Sequence, residues 1–309
     1  MRLCQFHLPG RGVRVGVVEG DRVVDITAPR AGAPSVLALI ESCGTAEQIE
    51  RRVRQLLKGA RARVPWRALD RAPSPRRPHL LAPLAPPEVW GAGITYRRSR
   101  EYYEAHGTGG RTRGIYDLVY ESERPELFFK ATAARVAGPN APIGVRRDSQ
   151  LTAVEPELAV VIGAKGRIVG YTAGNDLSAW DIERANPLFL PQSKIFDGCF
   201  AFGPVLATPR EVGDAHALEI ACRIYRGGRI LFEGRVSTRE MKRRCGELVD
   251  WLGRSNTVPP GTVLSTGTGI LVPDVHALQE GDVVEIELEK VGTLRNTVRR
   301  LRSAGPGRS

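Results

Sequence analysis

Nine residues, Val154 to Ile162, constrain this chain more than any others: they read VEPELAVVI, two carboxylates at the mouth of an otherwise apolar run. Leu158 to Ile162 is followed by GAKG and then by RIVGYTAGND, a pattern that predicts a strand, a tight turn at Gly163 to Gly166 and a second strand. Alternate residues of a strand share a face, so Glu155 and Glu157 project together and Pro156 points away. Two like charges taken out of water cost roughly several kcal/mol each unless something positive compensates. A metal ion, an Arg or Lys, or water at an exposed strand end would each meet that demand. The hairpin also returns Asp176 close to where its first strand began, which makes Glu155, Glu157 and Asp176 a candidate cluster. With no His or Cys beside them, three carboxylates suit a hard, oxygen-preferring cation, Mg2+ first and Mn2+ or Ca2+ after it.

The setting of this cluster follows from length and composition. A chain of 309 residues can bury a large core. No apolar run approaches membrane-spanning length, and MRLCQFHLPG lacks the apolar stretch of a signal peptide. Five cysteines with no C-x-x-C pair make a poor disulfide framework, so a reduced, cytoplasmic protein is expected. The net charge of +11 comes from scattered arginines without interleaved aromatics or a nucleic-acid-binding motif. Such a surface gathers small anions, and neither a nucleic acid nor a membrane is expected as partner.

Two parts are visible along the chain. Residues 1–72 offer short strands (RLCQF, VRVGVV, RVVDI) and a helix opened by a capping box at Thr45 and Gln48, with Ile49, Val53, Leu56 and Leu57 on one face and a stop at Gly59. Residues 73–88 are proline-rich and read as a linker without regular structure. Residues 89–303 are strand-rich, and 304–309 form a tail. A second capping box at Ser237 and Glu240 predicts a helix burying Met241, Cys245, Leu248, Val249 and Leu252.

The order E-x-E, then NDLSAWD, then a lysine in SKIFDG, then STGTGI, over roughly residues 80 to 303, resembles the fumarylacetoacetate hydrolase family. The resemblance implies an α+β, β-rich fold, a mixed β-roll catalytic domain preceded by a small N-terminal α/β domain, and assembly as a homodimer or higher homo-oligomer. It implies that Glu155, Glu157 and Asp176 ligate one divalent metal, that Lys194 is the active-site lysine, and that Gly267 and Thr268 form a substrate-contacting turn. Lys130, Ser178 and Tyr96 are further candidates for substrate contact; for Lys130 a surface amine remains an equal alternative.

The departures from that family are informative. Hydrolytic members carry G-x-N-Y-x-x-H, whose His activates water; here GITYRRS has Thr95 and Ser99 instead, Trp180 replaces an Arg, and Gly269 a Pro. GITYRRSRE, YESERPELFFKAT and TGTGI together resemble the branch that dehydrates 2-keto-3-deoxy-pentonates to 2,5-dioxopentanoate, where Glu126 and Lys194 would do the proton chemistry on a small anionic 2-keto acid. In a chain with only six lysines among its many arginines, Lys194 stands out because lysine can lose its proton. Two alternatives remain open: an acylpyruvate-type carbon-carbon hydrolase with His106 replacing the missing imidazole, and a non-catalytic anion-binding module. Asp181 would support Asp176 or cap the following segment. Residues 96–110 are expected to close over the ligand, with Arg97, Arg98 and Arg100 as candidate anion contacts.

Overall fold

The structure, a computed structural model, describes residues 1–28, 30, 33–106 and 114–302. At its centre lies the strand Pro156–Ile162, every residue of which is buried. Its run of β-branched residues suits a strand covered on both faces. It pairs antiparallel with Ile168–Asp176 on one side and with Val263–Thr268 on the other. The connecting turn is a 3-10 turn at Ala164–Gly166, with positive φ at Lys165 and Gly166. The hairpin therefore forms where the glycines predict it.

Among the described residues this hairpin belongs to a twelve-stranded mixed sheet, and a five-stranded sheet containing Glu219–Arg226 and Val283–Leu288 packs over it. Buried side chains of both sheets, such as Leu158 and Val160 of one and Ile220 and Ile286 of the other, join one apolar core. In the smaller sheet Val284, Ile286 and Leu288 are buried while Glu287 is exposed, the alternation of a sheet with one wet face.

The first strand, Arg2–Leu8, pairs with Phe200–Ala207 of the same large sheet, with Leu3 opposite Leu206. The N-terminal hairpins thus continue the sheet that carries the carboxylates. The proline-rich segment is not wholly irregular: His79–Leu81 forms a strand on Arg2–Leu8, placed between prolines so that its backbone donors stay available. The helix Ala46–Gly59 forms as expected, with Thr45 Oγ1 accepting from Gln48 N at 3.3 Å.

The helix expected at Ser237 starts later. Ser237 opens only the 3-10 turn Thr238–Glu240, and the helix runs from Cys245 to Leu252. Met241 bridges Tyr96 and Lys242 N donates to Thr95 O at 2.9 Å, which pulls the chain out of helical geometry at that point. No helix among the described residues is long and apolar enough to cross a membrane.

Leu3 is fully buried where the N-terminal strands meet the large sheet. Leu3→Ala is expected to lower unfolding free energy by about 2–5 kcal/mol in urea melts.

Candidate active site

The centre of the site is set by the two ends of the hairpin. Asp176 N donates to Glu155 O at 3.0 Å, so the last residue of one strand lies beside the first carboxylate of the other. The pairing of Glu157 with Thr268 shifts register before Ala159, and a bulge of this kind re-aims side chains at a strand end. There Gly267 N donates to Glu157 Oε2 at 2.6 Å. The outcome is three buried carboxylates, Glu155, Glu157 and Asp176, whose candidate ligand oxygens lie within 4.8 Å of one another.

Two lysines compensate them in part. Lys194 ends the short helix Leu190–Lys194, and its Nζ lies 2.8 Å from Glu155 Oε2, 3.3 Å from Asp176 Oδ2 and 2.6 Å from Ser178 Oγ. Burial opposes its charge, but Asp176, Glu155 and Glu183 outweigh burial and hold its pKa well above the ordinary lysine value. Lys130 is fully buried. Its Nζ donates to Leu177 O at 2.7 Å and Lys194 O at 2.6 Å and lies 2.5 Å from Asp176 Oδ1. The substrate contact considered for Lys130 gives way to an internal role: it fastens the backbone of Lys194 to the end of the hairpin.

Glu155 is held from its other side by two aromatic donors. Trp180 Nε1 donates to Glu155 Oε1 at 2.7 Å and Tyr103 OH to the same oxygen at 3.0 Å. Burial, then Glu155 itself, pushes the Tyr103 phenol well above its ordinary range, so it remains a neutral donor.

The cavity beside this cluster is walled by Glu126, Glu183, Lys194, Gly267, Thr268 and Tyr116, among others. Glu126 begins the strand Glu126–Ala131 opposite Gly93, and a Cβ on Gly93 would fall 2.0 Å from its carboxyl oxygen; the glycine makes room for the acid. Burial raises the Glu126 pKa, Lys194 opposes the rise, and Glu155 and Asp176 add to it. Glu183, in the helix Trp180–Ala185, was not singled out in the sequence, where IERAN reads as a solvated helical turn. Burial first, against Lys194 and with Glu155 and Glu126, pushes its pKa up to about 7.

The remaining candidates take other places. Thr268 lines the cavity, but its hydroxyl donates to Pro156 O at 2.8 Å. Ser178 is buried; its Oγ accepts from Lys194 and donates to Asp176 O at 3.0 Å, so it orients the lysine. Tyr96 is fully buried behind the turn, packed where a Cβ on Gly269 would meet its ring at 2.6 Å. Thr95 and Ser99, at the Asn and His positions of the hydrolytic pattern, donate to Thr266 O at 2.7 Å and to Thr268 O. Both hydroxyls thus bind the backbone of the Gly267 turn. Asp181 pins the neighbouring turn, accepting from Ser149 Oγ and Gln150 N, both at 2.7 Å, and does not support Asp176.

Arg97–His106, within the segment expected to close over the ligand, is a helix whose buried face consists of Ser99 and Tyr103; residues 107–110 of that segment lie outside the described residues. His106 is exposed and stacks on Tyr102, and among the described residues lining the cavity there is no histidine. Arg98 pairs with Glu240 at 3.0 Å and Arg100 with Asp117 at 3.3 Å, away from the cavity.

The carboxylates fit a divalent cation. Burial, then Asp176 and Glu155, holds the Glu157 carboxyl well above the carboxylate range, against the opposing effect of Lys194. An all-oxygen, buried donor set of this kind matches the preference of Mg2+.

A buried carboxylate triad at a hairpin end, faced by a lysine and two acids, is an arrangement that could hold a metal ion in an enzyme. The chain belongs to the fumarylacetoacetate hydrolase family: the model of the fumarylacetoacetate (FAA) hydrolase C-terminal region matches residues 89–299. It is similar to a 2-dehydro-3-deoxy-D-arabinonate dehydratase of Saccharolobus solfataricus, 47% identical over 226 residues that cover 72% of this chain and 75% of the relative. A probable 2-keto-3-deoxyxylonate dehydratase of Haloferax volcanii is 44% identical over 220 residues, 71% of this chain and 75% of that one. Among solved structures, a 2-keto-3-deoxy-D-arabinonate dehydratase complexed with magnesium and 2,5-dioxopentanoate superposes with a TM-score of 0.79 at 33% identity, covering 98% of this chain and 100% of the other.

The Glu183 shift carries a pH consequence. The folded protein holds this proton more tightly than the unfolded chain does. The group therefore favours the fold below the ordinary carboxyl value of 4.5, and that contribution is lost as pH rises through about 7. Glu183→Gln is expected to lose less melting temperature than the unaltered protein between about pH 5 and pH 8, measured by calorimetry without added metal.

Proposed function

We propose that this protein is a divalent-metal-dependent dehydratase that converts a 2-keto-3-deoxy-pentonate to 2,5-dioxopentanoate. The observation that carries the reading is that Lys194 and Glu126 line one cavity beside the carboxylate triad, and that the described walls of this cavity contain no imidazole. Elimination needs a base and an acid but no activated water. The dehydratase relatives support the same choice.

Glu155, Glu157 and Asp176 would hold the cation, which supplies Lewis acidity to the carboxylate and keto oxygens of a 2-keto acid and so acidifies its C3 methylene. Lys194 takes a C3 proton. Asp176 and Glu155, the two strongest of the carboxylates that keep it charged here, would then be countered by the cation, leaving burial, which disfavours the ammonium, opposed mainly by Glu183. Glu126, protonated more readily than an exposed acid, delivers its proton to the C4 hydroxyl, which departs as water. Proton shifts from C5 to C3 and from the resulting enol hydroxyl to C4 turn the C5 carbinol into the aldehyde. Gly267 and Thr268 bound the cavity beside Glu157, while Lys130 and Ser178 keep Lys194 in place.

Five free cysteines, four of them buried, favour a reducing, cytoplasmic setting, and we extend the proposal to a homodimer acting on a free small-molecule acid.

With Mg2+ present, 2-keto-3-deoxy-arabinonate or its xylonate epimer is expected to give the semialdehyde, and EDTA to abolish it. Lys194→Met is expected to stop solvent deuterium entry at C3, whereas Glu126→Gln keeps that exchange and slows water loss by about 100-fold or more. Cleavage of an acylpyruvate in place of dehydration would overturn the reading.

A further inference from the structure

The two donors on Glu155 come from different parts of the chain. Trp180 follows the ligand Asp176 closely and is fully buried. Tyr103 reaches the same oxygen from the helix Arg97–His106 and is 6% exposed. Their rings meet edge to face, with centroids 5.7 Å apart and planes at 75°. Both hydrogen bonds fall on Oε1, which leaves Oε2 to Lys194 Nζ, the amine that also reaches Asp176 Oδ2 at 3.3 Å.

That helix is seated by contacts on both faces, among them Arg98 with Glu240, Arg100 with Asp117, and Glu104 accepting from the amides of Gly114, Tyr116 and Asp117. Ser99 and Tyr103 are its buried residues, Ser99 donating to the Thr268 carbonyl next to the Gly267 turn. On its outer side Tyr102 OH donates to Asp274 Oδ1 at 3.0 Å, and Arg184, from the helix of Trp180, pairs with the same Asp274 carboxylate at 2.6 and 3.0 Å. Of these contacts, Tyr103 is the one that touches a carboxylate of the triad.

We propose that Tyr103 is a positioning residue for the metal centre: with Trp180 it fixes Glu155 so that Oε2 faces the cation, and it thereby ties cation affinity to the seating of the helix Arg97–His106. The inference rests on the metal ligation proposed above. Outer partners that orient a ligand are worth about 10- to 100-fold in metal affinity. Linkage is reciprocal: a helix whose seating strengthens cation binding is itself held more firmly when the cation binds.

The test uses the full chain and Mn2+ as probe. In calorimetric titrations Tyr103→Phe, which keeps the ring and removes the hydroxyl, is expected to bind Mn2+ about 10- to 100-fold more weakly than the unaltered protein while its metal-free melting temperature stays close to it. In the unaltered protein Mn2+ is expected to slow amide hydrogen exchange across residues 97–106; in Tyr103→Phe that response is expected to disappear. Excess Mn2+ should restore turnover in the variant, which a general packing defect would not allow. Equal Mn2+ affinity in the two proteins overturns the inference and leaves the ligand set standing. Exchange across 97–106 that ignores Mn2+ in the unaltered protein overturns it as well, even if the variant fails to fold. If the unaltered protein binds no Mn2+, the ligand set falls and the inference with it.

Discussion

Three carboxylates packed together away from water are the constraint around which this molecule is arranged. Left alone, Glu155, Glu157 and Asp176 would repel one another in a medium that screens poorly. The surroundings answer with donors: Lys194 and Lys130 on the Asp176 side, Trp180 and Tyr103 on Glu155, and the Gly267 amide on Glu157. These donors come from distant parts of the sequence, so the carboxylates gather much of the chain around them. At Glu157 burial and the neighbouring carboxylates outweigh Lys194 and favour the protonated acid; a divalent cation would relieve the same repulsion.

Close backbone approach is the second requirement. Gly267 sits at φ +92°, where a Cβ would fall 2.1 Å from Thr95 Oγ1, and Gly93 leaves the space that the Glu126 carboxyl occupies. The residues that depart from the hydrolytic pattern, Thr95 and Ser99, both hydrogen-bond the backbone of the turn at Gly267. Short hydroxyls at these two positions thus tie the segment that carries them to the wall of the cavity.

The hairpin and its carboxylates were legible because a strand's two-residue period and a glycine turn fix both ends of a short excursion without reference to the rest of the fold. The helix Ala46–Gly59 was legible through its cap and apolar face. The helix Arg97–His106 was not, because its buried face is only two residues wide and its sequence is mostly charged. Lys130 looked like the polar end of an apolar strand, and only the carbonyls of Leu177 and Lys194, both distant in sequence, explain its burial. Glu183 was missed for a related reason: its neighbours in IERAN are polar, and the cavity that encloses it is built by other elements. An acid in the first turn after NDLSAWD was the available signal. Ser237 shows the opposite error, a valid cap whose helix is cut short by the bridge between Tyr96 and Met241.

The seam between Arg2–Leu8 and Phe200–Ala207 has a consequence for how the polypeptide can be divided. Every residue of Phe200–Ala207 is buried, and Arg2 and Leu3 pair with its last two residues, Ala207 and Leu206. A shortened protein beginning at the family-matched region would lack the strand that pairs with Leu206 and Ala207 and would open the buried end of this strand to solvent. Such an edge recruits other strands. The N-terminal hairpins therefore act as a guard against self-association through the sheet, and material lacking them would be prone to precipitate with the chemical centre still encoded intact.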